Sequence, residues 1–290
     1  SKDINPDILK HVAANYFEYK KANSLVDYSD MIHQFVNKSH LCPSFDVVFI
    51  DEAQDLSPIQ WMMYDILKAN TKDMYLAGDD DQAIYAWAGA DVDRFIKEPA
   101  TEVVLKKSRR VPRKVQDISN IIVNRIEGLR ADKTYHPREE DGLCEKINNL
   151  DNVDLRKDNW LILTRTRSKS VQIAKELKQR GIFFESKFFK SLNTKLHKAA
   201  VYYSRWSDGQ ELNQKEVDDV EDYMSDNNWN ELVPWFEAFD KANLEDKNYI
   251  RLLLSNKEKL SESPRVKIST IHAAKGGESD NVLLVLDNAR

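Results

Sequence analysis

The hydrophobic positions of this chain follow two periods, and the changes of period mark its elements. Residues 7–22 set Tyr16, Phe17 and Tyr19 among polar neighbours in the manner of a surface helix, and a second helix runs from Ser29 through Val36 behind an N-cap. Residues 47–50, Val-Val-Phe-Ile, form an unbroken apolar run, as expected of a buried parallel strand. Ser57-Pro58 supplies a cap and a first-turn proline for a helix with apolar spacing over 59–67, in which Trp61, Met62 and Leu67 are core candidates. A second strand over 74–77 ends at Gly78, a helical stretch begins at Gln82, and Asp91 caps a short helix to Lys97. Residues 101–105 are expected as a strand, and Pro112 opens an amphipathic helix to about Glu127, stopped by Gly128.

The second half repeats the alternation. After a polar, turn-rich stretch over 131–158 with an expected strand near 143–147, residues 159–164 form a strand. Ser168 then caps a helix to Arg180, Gly181 stops it, and 182–185 return as strand. Such a βαβ unit requires parallel strands joined by a right-handed crossover. From about 186 to 263 the strand signals give way to helical ones, with Trp206, Trp229, Trp235 and Phe236 as packing residues. Strands resume at 265–270 and 281–286.

A length of 290 residues accommodates two domains, and 41% hydrophobic with 31% charged residues describes a soluble globular chain. No apolar run is long enough to span a bilayer and no secretory signal is evident, so the expected compartment is the cytosol, without a membrane partner. Cys42 and Cys144 lie far apart without histidines at ligand spacing, which points to reduced thiols. A net charge of −5 disfavours generic nucleic-acid binding by the whole surface but leaves room for a local basic cleft. Such clustering exists: residues 106–114 are strongly basic, whereas 216–226 are strongly acidic.

The chemistry concentrates in residues 47–91. The first apolar strand ends in Asp51-Glu52, and carboxyl ends of parallel strands are where α/β proteins place reactive groups. In a nucleotide site the first acid, Asp51, can hold a Mg²⁺ water and the second, Glu52, can polarise an attacking water. Gln82, beyond the next strand end, can sense a terminal phosphate, and Tyr85 and Trp87 can meet a base face. Taken singly these features are commonplace, since Asp-Glu after a strand recurs by chance and a tryptophan is more often core. Their combination is far more specific.

That combination, Asp51-Glu52-Ala-Gln54-Asp55 followed by Gly78-Asp79-Asp80-Asp81-Gln82-Ala-Ile-Tyr85-Ala-Trp87-Ala-Gly89-Ala, resembles motifs II and III of UvrD/Rep-type superfamily 1 helicases. Leu105-Lys-Lys-Ser108-Arg109-Arg110 resembles motif IV, and Thr270-Ile-His272-Ala-Ala-Lys275-Gly276-Gly277-Glu278 resembles motif V. The resemblance implies an ATP- and Mg²⁺-dependent translocase on single-stranded or 3′-tailed duplex DNA, of 3′-to-5′ polarity. By position it implies catalytic roles for Asp51 (also the metal residue), Glu52, Gln82 and Arg110. It implies nucleotide contacts for Gln54, Arg109, Gly276 and Glu278, and strand contacts for Tyr85, Trp87, Thr164 and His272. An arginine suits position 110 because its permanently charged fork fits phosphate oxygens. Departures are Ala88 in place of arginine, Arg109 in place of an adenine-stacking aromatic, and Gly277 and Ser279 in place of Leu and Phe.

The implied architecture is α/β: two RecA-like domains of the P-loop NTPase type with parallel sheets, the first incomplete over 1–100, the second over 101–185 and 264–290, interrupted by a small helical insertion at 186–263. None of the eight glycines precedes a lysine, so no G-x-x-x-x-G-K-[ST] phosphate loop is present. Motif VI is missing as well. The expectation is a fragment of a longer helicase that hydrolyses little ATP alone; the rival expectation is a motor-dead nucleic-acid-binding or scaffold protein.

Overall fold

The computed structural model describes residues 5–128, 130–227 and 229–286. The outermost residues of the first and last expected segments, 1–4 and 287–290, lie outside the described residues. The chain divides into two compact units, Ser1–Cys144 and Glu145–Arg290.

In the first unit, helix α1 (Pro6–Ala22) starts where Asn5 accepts the Asp7 amide, and α2 (Tyr28–Asn37) starts at a reciprocal capping box of Asp27 and Asp30. Strands β1 (Phe45–Ile50) and β2 (Thr71–Leu76) pair in parallel, Val48 opposite Met74 and Ile50 opposite Leu76. Helix α3 (Pro58–Ala69) connects them and buries Trp61 and Tyr64. Short 3-10 turns at Asp80–Gln82 and Ala86–Ala88 lead into α4 (Val92–Lys97), capped by Asp91. Helix α4 is fastened to α3: the Arg94 guanidinium lies 5.0 Å from the Trp61 ring centroid, and Tyr64 donates to Glu98 at 2.8 Å. Helix α5 (Arg113–Val123) follows.

The second unit is a four-stranded parallel sheet ordered β4-β5-β3-β6, from β3 (Trp160–Thr164), β4 (Phe184–Ser186), β5 (Val266–Thr270) and β6 (Asn281–Leu284). Helix α6 (Arg167–Gln179) makes the β3-to-β4 connection, and β5 lies between those two strands. Between β4 and β5 run α7 (Thr194–Ser207), α8 (Gln214–Glu221), the single turn α9 (Trp235–Ala238) and α10 (Leu244–Ser255). These helices share one core with the sheet: Leu196, Tyr203, Phe239 and Tyr249 join Ile162, Phe184, Val266 and Ile268. The Tyr249 hydroxyl donates to the Ile182 carbonyl at 2.9 Å, and the Asn256 amide spans the Arg180 and Gly181 carbonyls at 3.1 and 2.9 Å. The fold is therefore α/β with two parallel sheets flanked by helices, in the tandem RecA-like manner, with a helical insertion.

Some expected elements differ. Residues 101–105 form no strand; Val103 and Leu105 stand exposed, and the nearest pairing is an isolated parallel bridge between Lys107 and His136. Residues 143–147 are irregular as well. An apolar run becomes a strand only when a partner satisfies its backbone, and among the described residues neither stretch has a ladder. Helix α5 ends at Val123 rather than near 127, and the cap of α6 is Thr166, which accepts from the Lys169 amide at 3.2 Å, rather than Ser168, which lies within the first turn of the helix.

Candidate functional site

The parallel ladder between β1 and β2 continues past both strands: Ala77 donates to Ile50 at 2.8 Å, and Ala53 donates to Ala77 at 2.9 Å. This stitching brings residues 51–54 beside residues 77–79. Asp51 and Glu52 are exposed at the tip, and the Glu52 amide donates to the Asp51 carboxylate at 2.9 Å. Glu52 has left-handed backbone geometry, φ 54° and ψ 39°, which is uncommon for a residue with a side chain. Two residues on, Gln54 is fully buried and spends both ends of its amide: Nε2 donates to Glu52 Oε2 at 2.6 Å, and Oε1 accepts the Asp79 amide at 3.0 Å. Gln82, exposed in the turn after β2, donates to Asp79 Oδ2 at 2.7 Å. A continuous hydrogen-bonded chain thus runs Glu52, Gln54, Asp79, Gln82 across the two strand tips.

The acidic turn of Asp79, Asp80 and Asp81 is neutralised by residues far along the chain. Arg130 clamps Asp81 with both arms of its fork, Nε to Oδ1 at 2.6 Å and a terminal nitrogen to Oδ2 at 2.9 Å. Lys133 reaches all three acids, contacting Asp79 Oδ1 at 2.9 Å, Asp81 Oδ2 at 3.2 Å, and Asp80. The Ala131 amide donates to Asp80 Oδ2 at 3.0 Å. Burial works to raise the Asp81 carboxyl, yet hydrogen bonds and charge from Arg130 and Lys133 outweigh it and hold it below its ordinary value. For Lys133, burial disfavours the ammonium, but the bonds to Asp80 and Asp79 raise its pKa overall.

Arg109 and Arg110 belong to the same unit. Their loop is pinned where Ser108 donates to the His136 carbonyl at 2.8 Å, His136 donates to Lys106 at 2.7 Å, and the Ser108 hydroxyl accepts the Val111 amide at 3.0 Å. Tyr85 is half-buried and Trp87 is 75% exposed, with their ring centroids 6.4 Å apart. Gly89 takes φ 92°, which closes the short turn bearing Trp87.

The remaining expected site residues lie in the second unit. His272 opens a 3-10 turn directly after β5, where Ile271 donates to the Thr164 carbonyl at 2.9 Å. Gly276 adopts φ 77° in open space, and Glu278 is exposed. Thr164 is fully buried, its hydroxyl donating to the Thr166 carbonyl at 3.0 Å and lying 2.7 Å from the Ser170 hydroxyl. Its side chain therefore holds the strand-end turn rather than presenting itself at the surface.

The donor set at the tips of β1 and β2 is all oxygen, which suits a hard cation such as Mg²⁺. Among the described residues no group of three or more acids, histidines or cysteines could hold a metal by itself. A Mg²⁺ carried by a nucleotide needs only one or two carboxylates beside the phosphates and water, and the exposed Asp51 fits that lesser demand.

Comparison with known proteins decides the family. A profile of the UvrD/REP helicase N-terminal domain matches residues 2–101, and one of the UvrD-like helicase C-terminal domain matches residues 186–289. The chain belongs to the UvrD/Rep-type helicases. It is 26% identical over 164 residues to a probable DNA helicase II homolog of Mycoplasma capricolum, covering 49% of this chain and 23% of that relative. It is 23% identical over 134 residues to the ATP-dependent DNA helicase PcrA of Staphylococcus aureus (42% and 18% covered). To DNA helicase II of Escherichia coli it is 29% identical over 124 residues (38% and 17% covered). The matched stretches thus span less than a quarter of those relatives' lengths.

Seen in this helicase family, the residues that sequence reasoning missed are Arg130 and Lys133. The available signal was electrostatic: three consecutive aspartates in one turn need cations nearby once the fold takes their carboxylates out of water, as it does for Asp80 and Asp81. Only the fold identifies which cations, because Lys133 lies 53 positions from Asp80 in the chain.

Proposed function

We propose that this chain supplies the water-activating and strand-gripping parts of an ATP-driven translocase on single-stranded DNA, with 3′-to-5′ polarity. The observation that carries the reading is the hydrogen-bonded chain Glu52, Gln54, Asp79, Gln82, which links the tips of two adjacent parallel strands. The bound nucleotide supplies the phosphoanhydride bond and, with its Mg²⁺, neutralises charge on the departing phosphate. Asp51 would hold the Mg²⁺ that accompanies the nucleotide, which would supply charge neutralisation at the phosphates; Glu52, held by Gln54, orients and polarises the attacking water. Gln82 exchanges its bond to Asp79 for one to the terminal phosphate. Arg110 offers that phosphate a planar cation, with Arg109 beside it in the same loop, whereas Gln54, buried and bonded at both ends of its amide, holds Glu52 and Asp79 in place instead of touching the nucleotide. In the second unit, Gly276 and Glu278 are the positions to which the family resemblance gives nucleotide contacts. Tyr85, Trp87 and His272 meet the DNA strand, with Thr164 keeping its turn in shape.

The domain reading that accompanies this function is a first RecA-like domain over 1–100, a second over 101–185 and 264–290, and an insertion at 186–263. Without a phosphate loop in residues 1–290, the chain alone turns over no ATP, yet it binds single strands in a salt-sensitive way. In the full-length protein carrying this chain, Glu52→Gln lowers DNA-stimulated phosphate release by about 10²-fold or more while nucleotide binding persists. Unchanged turnover would remove Glu52 from its role. Unwinding of 5′-tailed but not 3′-tailed duplexes would reverse the polarity.

A further inference from the structure

Every polar group of Asp79 is engaged, and its carbonyl accepts the Gln82 backbone amide at 2.9 Å. Its amide goes to Gln54 at 3.0 Å, Oδ2 accepts the Gln82 amide at 2.7 Å, and Oδ1 accepts both the Asp81 amide at 3.2 Å and the Lys133 ammonium at 2.9 Å. The same ammonium contacts Asp80 and Asp81, and Arg130 closes on Asp81 from beside it. We propose that Lys133, supported by Arg130, is a positioning residue for Gln82, keeping the Asp79 carboxylate neutralised so that the Gln82 amide can leave it for a phosphate. This inference rests on the reading of the strand tips as a nucleotide site.

A phosphate approaching Gln82 competes with Asp79 for one amide. An uncompensated carboxylate would hold that amide more tightly, because hydrogen bonds to an ionised acceptor are the stronger ones, and would repel the incoming anion as well. With the Lys133 charge on Oδ1, both effects weaken. The geometry also connects this cation to the rest of the unit. Gln116, buried in α5, donates its side-chain amide to the Tyr135 carbonyl, and His136 is bridged to Lys107. Segment 130–136 is thereby tied on one side to the loop bearing Arg109 and Arg110, and on the other to the turn bearing Gln82.

The test is steady-state ATP hydrolysis at saturating single-stranded DNA by the full-length protein carrying this chain. Lys133→Met is expected to lower kcat about tenfold with KM for ATP changed less than about threefold, and Lys133→Arg to keep most of the rate. Because Lys133 acts through Gln82, the Lys133→Met loss is expected to vanish in a Gln82→Ala background. Wild-type kinetics for Lys133→Met, or losses that multiply with Gln82→Ala, would overturn the assignment. If Lys133→Met alone does not fold, the pair Lys133→Met with Asp80→Asn, which removes one of the acids left unbalanced, is put through the same cycle with the same criteria. A wild-type protein without DNA-stimulated hydrolysis would sink the reading of the site itself, and the Lys133 role with it, whereas an active wild type with an indifferent Lys133 sinks only the latter.

Discussion

Gly78 is required by space rather than by backbone sign. A Cβ there would lie 2.6 Å from Gln54 Oε1 and 2.8 Å from Phe95 Cζ, far inside contact distance. A flexible side chain would ordinarily swing aside, but Gln54 is fully buried and bonded at both ends, and its retreat would break the Asp79 bond. Gly78→Ala should therefore loosen this corner by about 1–3 kcal/mol, the range for overpacked sites. Hydrogen exchange checks it: the Asp79 amide should exchange roughly ten- to a hundredfold faster, and unchanged protection would mean that Gln54 does not fix Asp79. Trp87 poses a complementary case, since its ring is largely exposed and its loss costs the fold little. Trp87→Ala should leave melting unchanged but weaken single-strand binding by about 1–3 kcal/mol, read by fluorescence anisotropy at fixed salt. Undiminished affinity would take Trp87 out of the interface.

At the scale of elements, the contact between α1 and α2 is electrostatic. Lys20 on α1 meets Asp27 at 2.8 Å and Asp30 at 2.7 Å, the two residues of the α2 capping box. The hydrogen bond from Lys20, helped by the Asp30 amide, takes the Asp27 carboxyl from 3.8 down to about 2, and Asp30 is lowered for the same first cause. A carboxyl depressed in the folded chain stabilises it fully above its unfolded value, and that contribution fades as pH falls through the folded value. The α1–α2 contact should accordingly weaken as the medium is acidified from about 4 toward 2. An NMR titration of the Asp27 side chain, native and Lys20→Met, checks this: the variant should titrate at higher pH than the native chain, toward the ordinary value, and identical curves would deny Lys20 its part. The capping box was legible in the sequence only as an N-cap before Ser29, because the reciprocal bond and its lysine depend on how α1 packs. The same distinction governs the rest. Strands β1, β3 and β6 announced themselves as apolar runs and β5 as the return of strand character after the helical stretch, whereas 101–105 has an apolar run but no ladder among the described residues. Asp51, Glu52 and Gln82 were evident from motif spacing. Lys133 and Arg130 were not, since contacts across about fifty positions leave no local periodicity.

At the scale of the whole molecule, the two units differ sharply in how much core they own. Among the described residues the first unit buries only Ala53, Trp61 and Tyr64 as apolar side chains, while 22 buried apolar residues of the second form one continuous cluster. In the first unit the stacked pair Phe49 and Tyr75, centroids 5.1 Å apart across β1 and β2, stays largely exposed, as do Ile8, Leu9 and Val12 of α1. A two-stranded parallel sheet with one open face is a poor independent structure, because parallel strands ordinarily require cover on both sides. Four parallel strands sharing a core with α6, α7 and α10 meet that requirement internally. Residues 145–290 expressed alone should thus unfold cooperatively in urea, with an m-value in proportion to a domain of that size. Residues 1–144 alone should bind an apolar dye and unfold without a sharp transition, since exposed apolar surface and few buried side chains leave little to lose at once. A cooperative, dye-free 1–144 would mean that its salt bridges and caps suffice to hold it, and that apolar burial does not decide which unit folds by itself. A second unit that failed to fold alone would mean that its core, though continuous, depends on residues outside it.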